Sequence, residues 1–287
     1  MTGDYRDGTM RPRFFQNAAG TLMAALVGCL SAGCHSDDRT PGAREVRVAA
    51  AANLKSAFDE IADEFRQRHP DIKLSVTYGS SGNFFAQIMN RAPFDVFLSA
   101  DVDYPHKLVE QGYADKDAEF VYAVGQIVVW VPNGSKLDPE KSGVGVLTDP
   151  SVRKVAVANP KHAPYGRAAM DALKRLGVLD EVQGRLALGE NIEQAALFVD
   201  SGAADAGIIA LSQALSPALR DRGKYWVVPP DAYPTLEQAG VILARAKDRA
   251  AADELRAFLL GPAGRGVLKR QGYSFPKELL RAEQPGR

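Results

Sequence analysis

A chain of 287 residues that is 46% hydrophobic and 24% charged has an ordinary globular composition, with length for one large domain or two lobes. Its 35 basic and 35 acidic residues cancel, so no basic surplus argues for nucleic acid and no acidic run for a solvating tail. The two cysteines, Cys29 and Cys34, both lie near the start, so the rest of the chain has neither a disulfide framework nor a thiolate metal site.

Arg11 and Arg13 precede an apolar run over residues 18–32, which reads as a secretory signal too short for a comfortable membrane span. Each cysteine ends a run of small residues, Leu26-Val27-Gly28-Cys29 and Leu30-Ser31-Ala32-Gly33-Cys34. Both runs resemble the bacterial lipoprotein box, whose cysteine is lipidated after cleavage. Cys29 has the better leucine position, and Cys34 leads into a polar tether, His35-Ser36-Asp37-Asp38, so lipidation at either Cys34 or Cys29 stays open. Residues 1–34 are therefore expected to be a lipoprotein-type signal peptide and 35–44 a tether, placing the protein in the periplasm or at the cell surface on a lipid anchor.

The folded part opens with a continuous apolar strand over 46–50. Asn53 stands between it and a helix that puts Leu54, Ala57, Phe58, Ile61 and Phe65 on one face. Asn suits a helix start because its side chain can hydrogen-bond backbone there, so a cap is the plain reading of Asn53. A second strand over 72–78 stops at Gly79-Ser80-Ser81-Gly82, and Phe84, Phe85, Ile88 and Met89 then recur at helical spacing. A short buried strand over 95–99 leads to a helix that Gly112 closes. The apolar run over 122–131 reads as one long strand passing from one lobe into another. Further strands are expected over 155–158, 186–188, 206–210, 225–228 and 240–244. Helices are expected from Tyr165 to Leu176, from Ile192 to Gly202, and over 250–260 and 262–271. Strands that are apolar at every position are buried on both faces, so the expected architecture is α/β, each sheet covered by helices.

Four junctions share one form: a strand ends, a few small or polar residues turn, and a helix begins. They are Ala52-Asn53, Ser80-Ser81-Gly82, Ala163-Pro164-Tyr165-Gly166 and Glu190-Asn191-Ile192, two on either side of the 122–131 run. Ligands of open α/β sheets bind beyond the carboxyl ends of strands. A helix start carries unpaired N–H donors and about half a unit of positive charge, so several converging starts would hold a small dianion without a counter-cation. None of the four carries Lys or Arg immediately at the turn, apart from Lys161 four residues before Tyr165. Neutral donors alone favour a fully ionised oxyanion, such as sulfate, molybdate or tungstate, over one whose proton needs an acceptor.

The segments Val48-Ala49-Ala50-Ala51-Ala52-Asn53-Leu54, Gly79-Ser80-Ser81-Gly82, Ala92-Pro93-Phe94-Asp95-Val96-Phe97-Leu98-Ser99-Ala100-Asp101, Ala163-Pro164-Tyr165-Gly166 and Ala203-Ala204-Asp205-Ala206-Gly207, in this order, resemble the substrate-binding proteins of molybdate ABC transporters. The resemblance spans about residues 45–276. It implies a two-lobed, type II-like periplasmic binding protein with a ligand cleft between the lobes. Lobe I would comprise 45–124 plus 236–280 and lobe II 125–235. It places the oxyanion contacts on Asn53, on the hydroxyl and N–H of Ser81, and on the N–H groups of Tyr165 and Ile192. Many relatives have Ser at the first of these positions, and many carry a ligand-touching Tyr where this chain has Ala210; the amide of Asn53 is then the replacement donor.

The implied function is capture of molybdate or tungstate by a monomer and delivery to an ABC transporter permease, with no cofactor, cationic metal, nucleic acid or covalent step. Donors fixed for the larger ions would sit too far from the oxygens of sulfate. The alternatives are a binding protein for sulfate, phosphate or ferric iron, and an enzyme on the same plan. Iron would want converging Tyr, His or carboxylate ligands, and the junctions offer only Tyr165. No junction pairs a nucleophile with a base, and neither a Gly-x-Ser-x-Gly elbow nor a phosphate loop with its Lys is present. Asp95 and Asp101 are expected to be hinge or capping structure, Trp130 and Trp226 core, His69 and His106 surface, and His162 is a candidate for the cleft rim.

Overall fold

The computed structural model describes residues 44–276; Cys29, Cys34, the signal segment and the tether up to residue 43 lie outside the described residues. In chain order the elements are β1 (Arg44–Ala51), α1 (Lys55–Arg68), β2 (Ile72–Gly79), α2 (Ser81–Met89), β3 (Val96–Leu98), α3 (Asp103–Glu110), β4 (Glu119–Gly125) and β5 (Ile127–Pro132). They continue with α4 (Pro139–Ser142), β6 (Val155–Ala158), α5 (Pro164–Arg175), α6 (Leu179–Val182), β7 (Leu186–Gly189), α7 (Ile192–Asp200), β8 (Ala206–Ala210) and α8 (Leu211–Ala214). Last come β9 (Gly223–Val227), β10 (Leu236–Ile242), α9 (Arg249–Leu260) and α10 (Pro262–Arg270).

The strands form two five-stranded sheets, in the orders β2-β1-β3-β10-β4 and β7-β6-β8-β5-β9. Both are mixed. β1 is parallel to β2 and β3, while β10 runs antiparallel to β3 and β4. In the second sheet β6 is parallel to β7 and β8, and β5 is antiparallel to β8 and β9. Each sheet has its own core. Val46, Val48, Phe58, Ile61, Phe65 and Phe97 pack in the first. Val129, Trp130, Val157, Leu173 and Ile208 pack in the second. Two mixed sheets, each covered by helices, are the architecture that the resemblance implied, built from the apolar strands and amphipathic helices legible in the sequence.

The apolar run 122–131 is not one strand. β4 ends at Gly125 in the first sheet and β5 begins at Ile127 in the second. A Cβ at Gly125 would lie 2.1 Å from the Tyr165 hydroxyl and 2.5 Å from Gln238 Nε2, so only glycine lets the backbone pass there. The chain returns to the first sheet between β9 and β10. Gly112 and Gly202 close their helices with φ of +74° and +77°, as their positions in the sequence predict. The short α4, α6 and α8 and a 3₁₀ stretch, Gly143–Thr148, have no counterpart in the sequence reading.

Candidate functional site

The carboxyl ends of the parallel strands of both sheets face one small cavity. From the first sheet come Ala51, Ala52 and Asn53 after β1, Gly79, Ser80 and Ser81 after β2, and Ala100 after β3. From the second come Ala163, Pro164 and Tyr165 after β6, and Asn191 and Ile192 after β7. All four sequence-predicted residues, Asn53, Ser81, Tyr165 and Ile192, therefore line the same space. The space is small and narrow, far below the clefts that take sugars or drug-sized ligands. None of its lining residues carries a charge.

Three helices start at this wall. Ser80 caps α2, its hydroxyl accepting from the Asn83 N–H at 3.4 Å, which leaves Ser81 as the first helical residue. Asn191 caps α7 in the same way, accepting from the Gln194 N–H at 3.0 Å, so Ile192 is first. α5 starts at Pro164 with no side-chain cap, and Tyr165 follows it. First-turn N–H groups have no acceptor inside their own helix. Here they border an uncharged cavity, where the positive helix ends favour an anion. The Ser81 hydroxyl accepts from the Ala100 N–H at 3.0 Å, which leaves its own proton to be donated.

Asn53 is not a helix cap. It sits within a single 3₁₀ turn, Ala52–Leu54, and α1 begins after it with no side-chain cap at all. Its amide, only 2% exposed, reaches across the fold instead. Nδ2 donates to Gln238 Oε1 at 3.0 Å and to the Tyr273 hydroxyl at 2.9 Å, while Oδ1 is buried and has no partner. Gln238 in turn donates to the Tyr165 hydroxyl at 2.9 Å and accepts from Tyr122 at 3.1 Å. Ser212 and Tyr273 donate to the Asn53 carbonyl at 3.0 and 2.8 Å. Burial pushes the phenols of Tyr122 and Tyr165 well above their ordinary value, and that of Tyr273 up to about 12, so all three stay neutral.

The two sheets' sides also touch at the rim. The Gly82 N–H donates to the His162 carbonyl at 2.9 Å, which places His162 at the edge of the site through its backbone. Asn83 donates to Glu190 at 2.9 Å. Arg167 reaches Asp101 at 2.5 Å. Burial pushes the Asp101 carboxyl up even though Arg167 stands beside it. Asp101 also accepts from Ser99 Oγ and the Tyr104 N–H, capping the approach to α3. Asp95 is a staple rather than an acid or base: it takes the Arg47 guanidinium at two oxygens, together with the N–H groups of Arg47 and Lys247. Burial pushes its carboxyl up, but these donors outweigh it and hold the group below its ordinary value. Trp130 is buried in β5. Ala210, at the end of β8, is fully buried, and its N–H donates to Gln213 Oε1 at 3.1 Å. Among the described residues no group of His, Cys, Asp and Glu could hold a metal cation.

The model of the bacterial extracellular solute-binding proteins matches residues 46–274. The chain belongs to this family. It is 38% identical to the molybdate-binding protein ModA of Azotobacter vinelandii over 80% of this chain and 90% of that one. It is 36% identical to ModA of Rhodobacter capsulatus, over 80% and 88%. The solved Azotobacter vinelandii periplasmic molybdate-binding protein superposes with a TM-score of 0.76 at 33% identity, covering 81% of this chain and all of that one. The sulfate-binding protein SubI of Mycobacterium tuberculosis shares the fold, with a TM-score of 0.68 at 15% identity. The resemblance to molybdate-binding members seen in the sequence thus holds, over the same span.

The sequence reading missed Ala100 and Gln238. Ala100 follows the short β3 and offers the cavity only backbone, so no side chain marks it. Gln238 falls in the first half of β10, ahead of the apolar stretch that the sequence reading took for the strand.

Proposed function

We propose that this protein captures molybdate or tungstate outside the cytoplasm and delivers it to an ABC transporter permease. The observation that carries this reading is the cavity itself: uncharged, small, and walled by the starts of α2, α5 and α7 with Asn53 beside them. Such a wall offers a tetrahedral dianion donors from several directions and needs no counter-cation. In this reading Asn53, Ser81, Tyr165 and Ile192 hold the ion, the first two with side chains and the last three with backbone N–H groups. The identity to molybdate-binding relatives supports the choice of ion. The ion is cargo rather than cofactor, and no bond to it is made or broken.

The two sheets then act as two lobes, residues 45–124 plus 236–280 and residues 125–235, closing on the ion by bending where the chain crosses between them. The protein works as a monomer, held at the membrane by a lipid on Cys34 or Cys29. Titration calorimetry of the mature domain with molybdate, tungstate, sulfate and phosphate tests this. Molybdate and tungstate are expected to bind, and sulfate and phosphate far more weakly. Sulfate binding as tight as molybdate would overturn the specificity, and binding of none of the four would overturn the function.

A further inference from the structure

The buried hydrogen bonds behind the cavity contain a mismatch. The Tyr165 hydroxyl accepts from Gln238 Nε2 at 2.9 Å, yet among the described residues nothing accepts its own proton. Asn53 lines the cavity, and its Oδ1, the end of the amide not held by Gln238 and Tyr273, is buried without a donor. One hydroxyl therefore has a donor and lacks an acceptor, while one carbonyl lacks a donor. Leaving such groups unpaired inside a protein is costly.

A single rearrangement pairs the hydroxyl proton and turns the unpaired carbonyl into an unpaired donor. A primary amide keeps its shape when its last bond turns by half a revolution, with donor and acceptor exchanged. Turning Asn53 alone would set its Oδ1 against Gln238 Oε1, two acceptors. Turning Gln238 alone would set its Nε2 against Asn53 Nδ2, two donors. Turned together, they agree. Gln238 Oε1 then accepts from Tyr165. Gln238 Nε2 donates to Asn53 Oδ1, in place of the present 3.0 Å contact, and to the Tyr122 hydroxyl, whose proton is already given to the Ser99 carbonyl at 2.7 Å. The Tyr273 hydroxyl can still donate, and Ser212 keeps the Asn53 carbonyl paired. Every group of the network is then paired except the Asn53 NH₂, which takes the place of Oδ1 and has no acceptor within the protein, so it is free to donate to an ion.

We infer that Gln238 is a positioning residue for the ion site: coupled to Asn53, it fixes which end of that amide the bound oxyanion meets. With both amides turned, the wall is made of donors only and suits a fully ionised oxyanion. With neither turned, it presents an acceptor that would repel one and that a protonated oxyanion could use. This rests on the proposed function. It goes beyond it by assigning the choice of ionisation state to a residue that does not touch the cavity.

The test is a double-mutant cycle with Gln238→Met and Asn53→Ser, read by calorimetry with molybdate. Wild type is expected to bind, and Gln238→Met to weaken binding about 10- to 100-fold, the worth of one hydrogen bond to a charged group. In the Asn53→Ser background, where a hydroxyl turns freely to donate, Gln238→Met should weaken binding less than about 2-fold, because no amide is left to orient. Equal weakening in both backgrounds would reduce Gln238 to a structural residue and overturn the inference. A second readout needs no Gln238 variant. In the ¹⁵N-labelled wild-type protein the side-chain NH₂ signal of Asn53, assigned by its loss in Asn53→Ser, should shift on addition of molybdate. An unmoved signal at saturation would also overturn it. Wild type that binds no molybdate would remove the functional reading and this assignment together; wild type that binds while either readout fails removes the assignment alone.

Discussion

The first sheet brings polar side chains to the cavity, Asn53, Ser80 and Ser81, backed by the buried Gln238, Tyr122 and Tyr273. The second brings Ala163, Pro164, Tyr165 and Ile192, with Asn191 already spent on capping α7. The Tyr165 hydroxyl is engaged by Gln238, which donates to it at 2.9 Å. One half thus presents chemistry that a side-chain substitution can alter, and the other presents backbone. The halves differ in the same sense in their interiors. Among the described residues, the buried carboxylates, Asp95 and Asp101, both belong to the first-sheet half. The first half is therefore open to tuning and vulnerable to pH, while the second is indifferent to most substitutions that keep its helix starts in place.

The largest expected effect lies in the first half's interior. Asp95→Asn breaks the contact with Arg47 and should cost about 3–5 kcal/mol at neutral pH, the usual price of removing one partner of a buried ion pair. The folded pKa of Asp95 lies below its ordinary 3.8. The stability it contributes is therefore complete above about pH 4 and is lost as pH falls through that lower folded value. Urea midpoints measured against pH should show wild type losing stability in that acid window and Asp95→Asn losing less. Identical slopes would mean that Asp95 is not the acid-sensitive staple.

The next effect separates side chain from backbone at the cavity. Ser81→Ala should weaken molybdate binding by about 1.5–3 kcal/mol. Ile192→Val, which keeps the N–H, should change it little, whereas Ile192→Pro should weaken it about as much as Ser81→Ala. Proline is tolerated at the first residue of a helix, and Asn191 before it already has the extended backbone that a following proline requires, with φ of −142°. Calorimetry on the three variants decides it; Ile192→Val behaving like Ile192→Pro would show that the second half contributes a side chain after all. The smallest effect belongs to the rim. The Arg167 side chain is 37% exposed, so Arg167→Met should shift affinity by less than about 1 kcal/mol despite the short contact with Asp101. A larger loss would make this ion pair part of the site.

Much of this was readable from residue order. Small polar residues between an apolar strand and an amphipathic helix mark a helix start, and Ser81, Tyr165 and Ile192 fall at helix starts that share one cavity wall. Asn53 was legible as a position but not as a role. A cap is a local pattern, whereas its partners Gln238 and Tyr273 lie 185 and 220 residues away. The break between β4 and β5 was hidden for a similar reason. Gly125-Gln126 interrupts the apolar run only weakly, and what forces glycine there is a hydroxyl and an amide from distant segments. Ala100 could not be singled out, since an alanine that offers only backbone leaves no chemical signature.

The contacts across the rim set a timescale as well as a shape. With both sheets' helix starts around a cavity this small, and Gly82 bonded to the His162 carbonyl over its edge, an ion bound as proposed would leave only as fast as the two halves part. A Cβ at Gly82 would lie 2.8 Å from both that carbonyl oxygen and the His162 Cβ, so this contact depends on a residue without a side chain. Residence time would then be governed by the rate of opening rather than by the strength of any one bond to the ion, and a receiving partner would accelerate release by prising the rim apart, without having to compete for the ion itself.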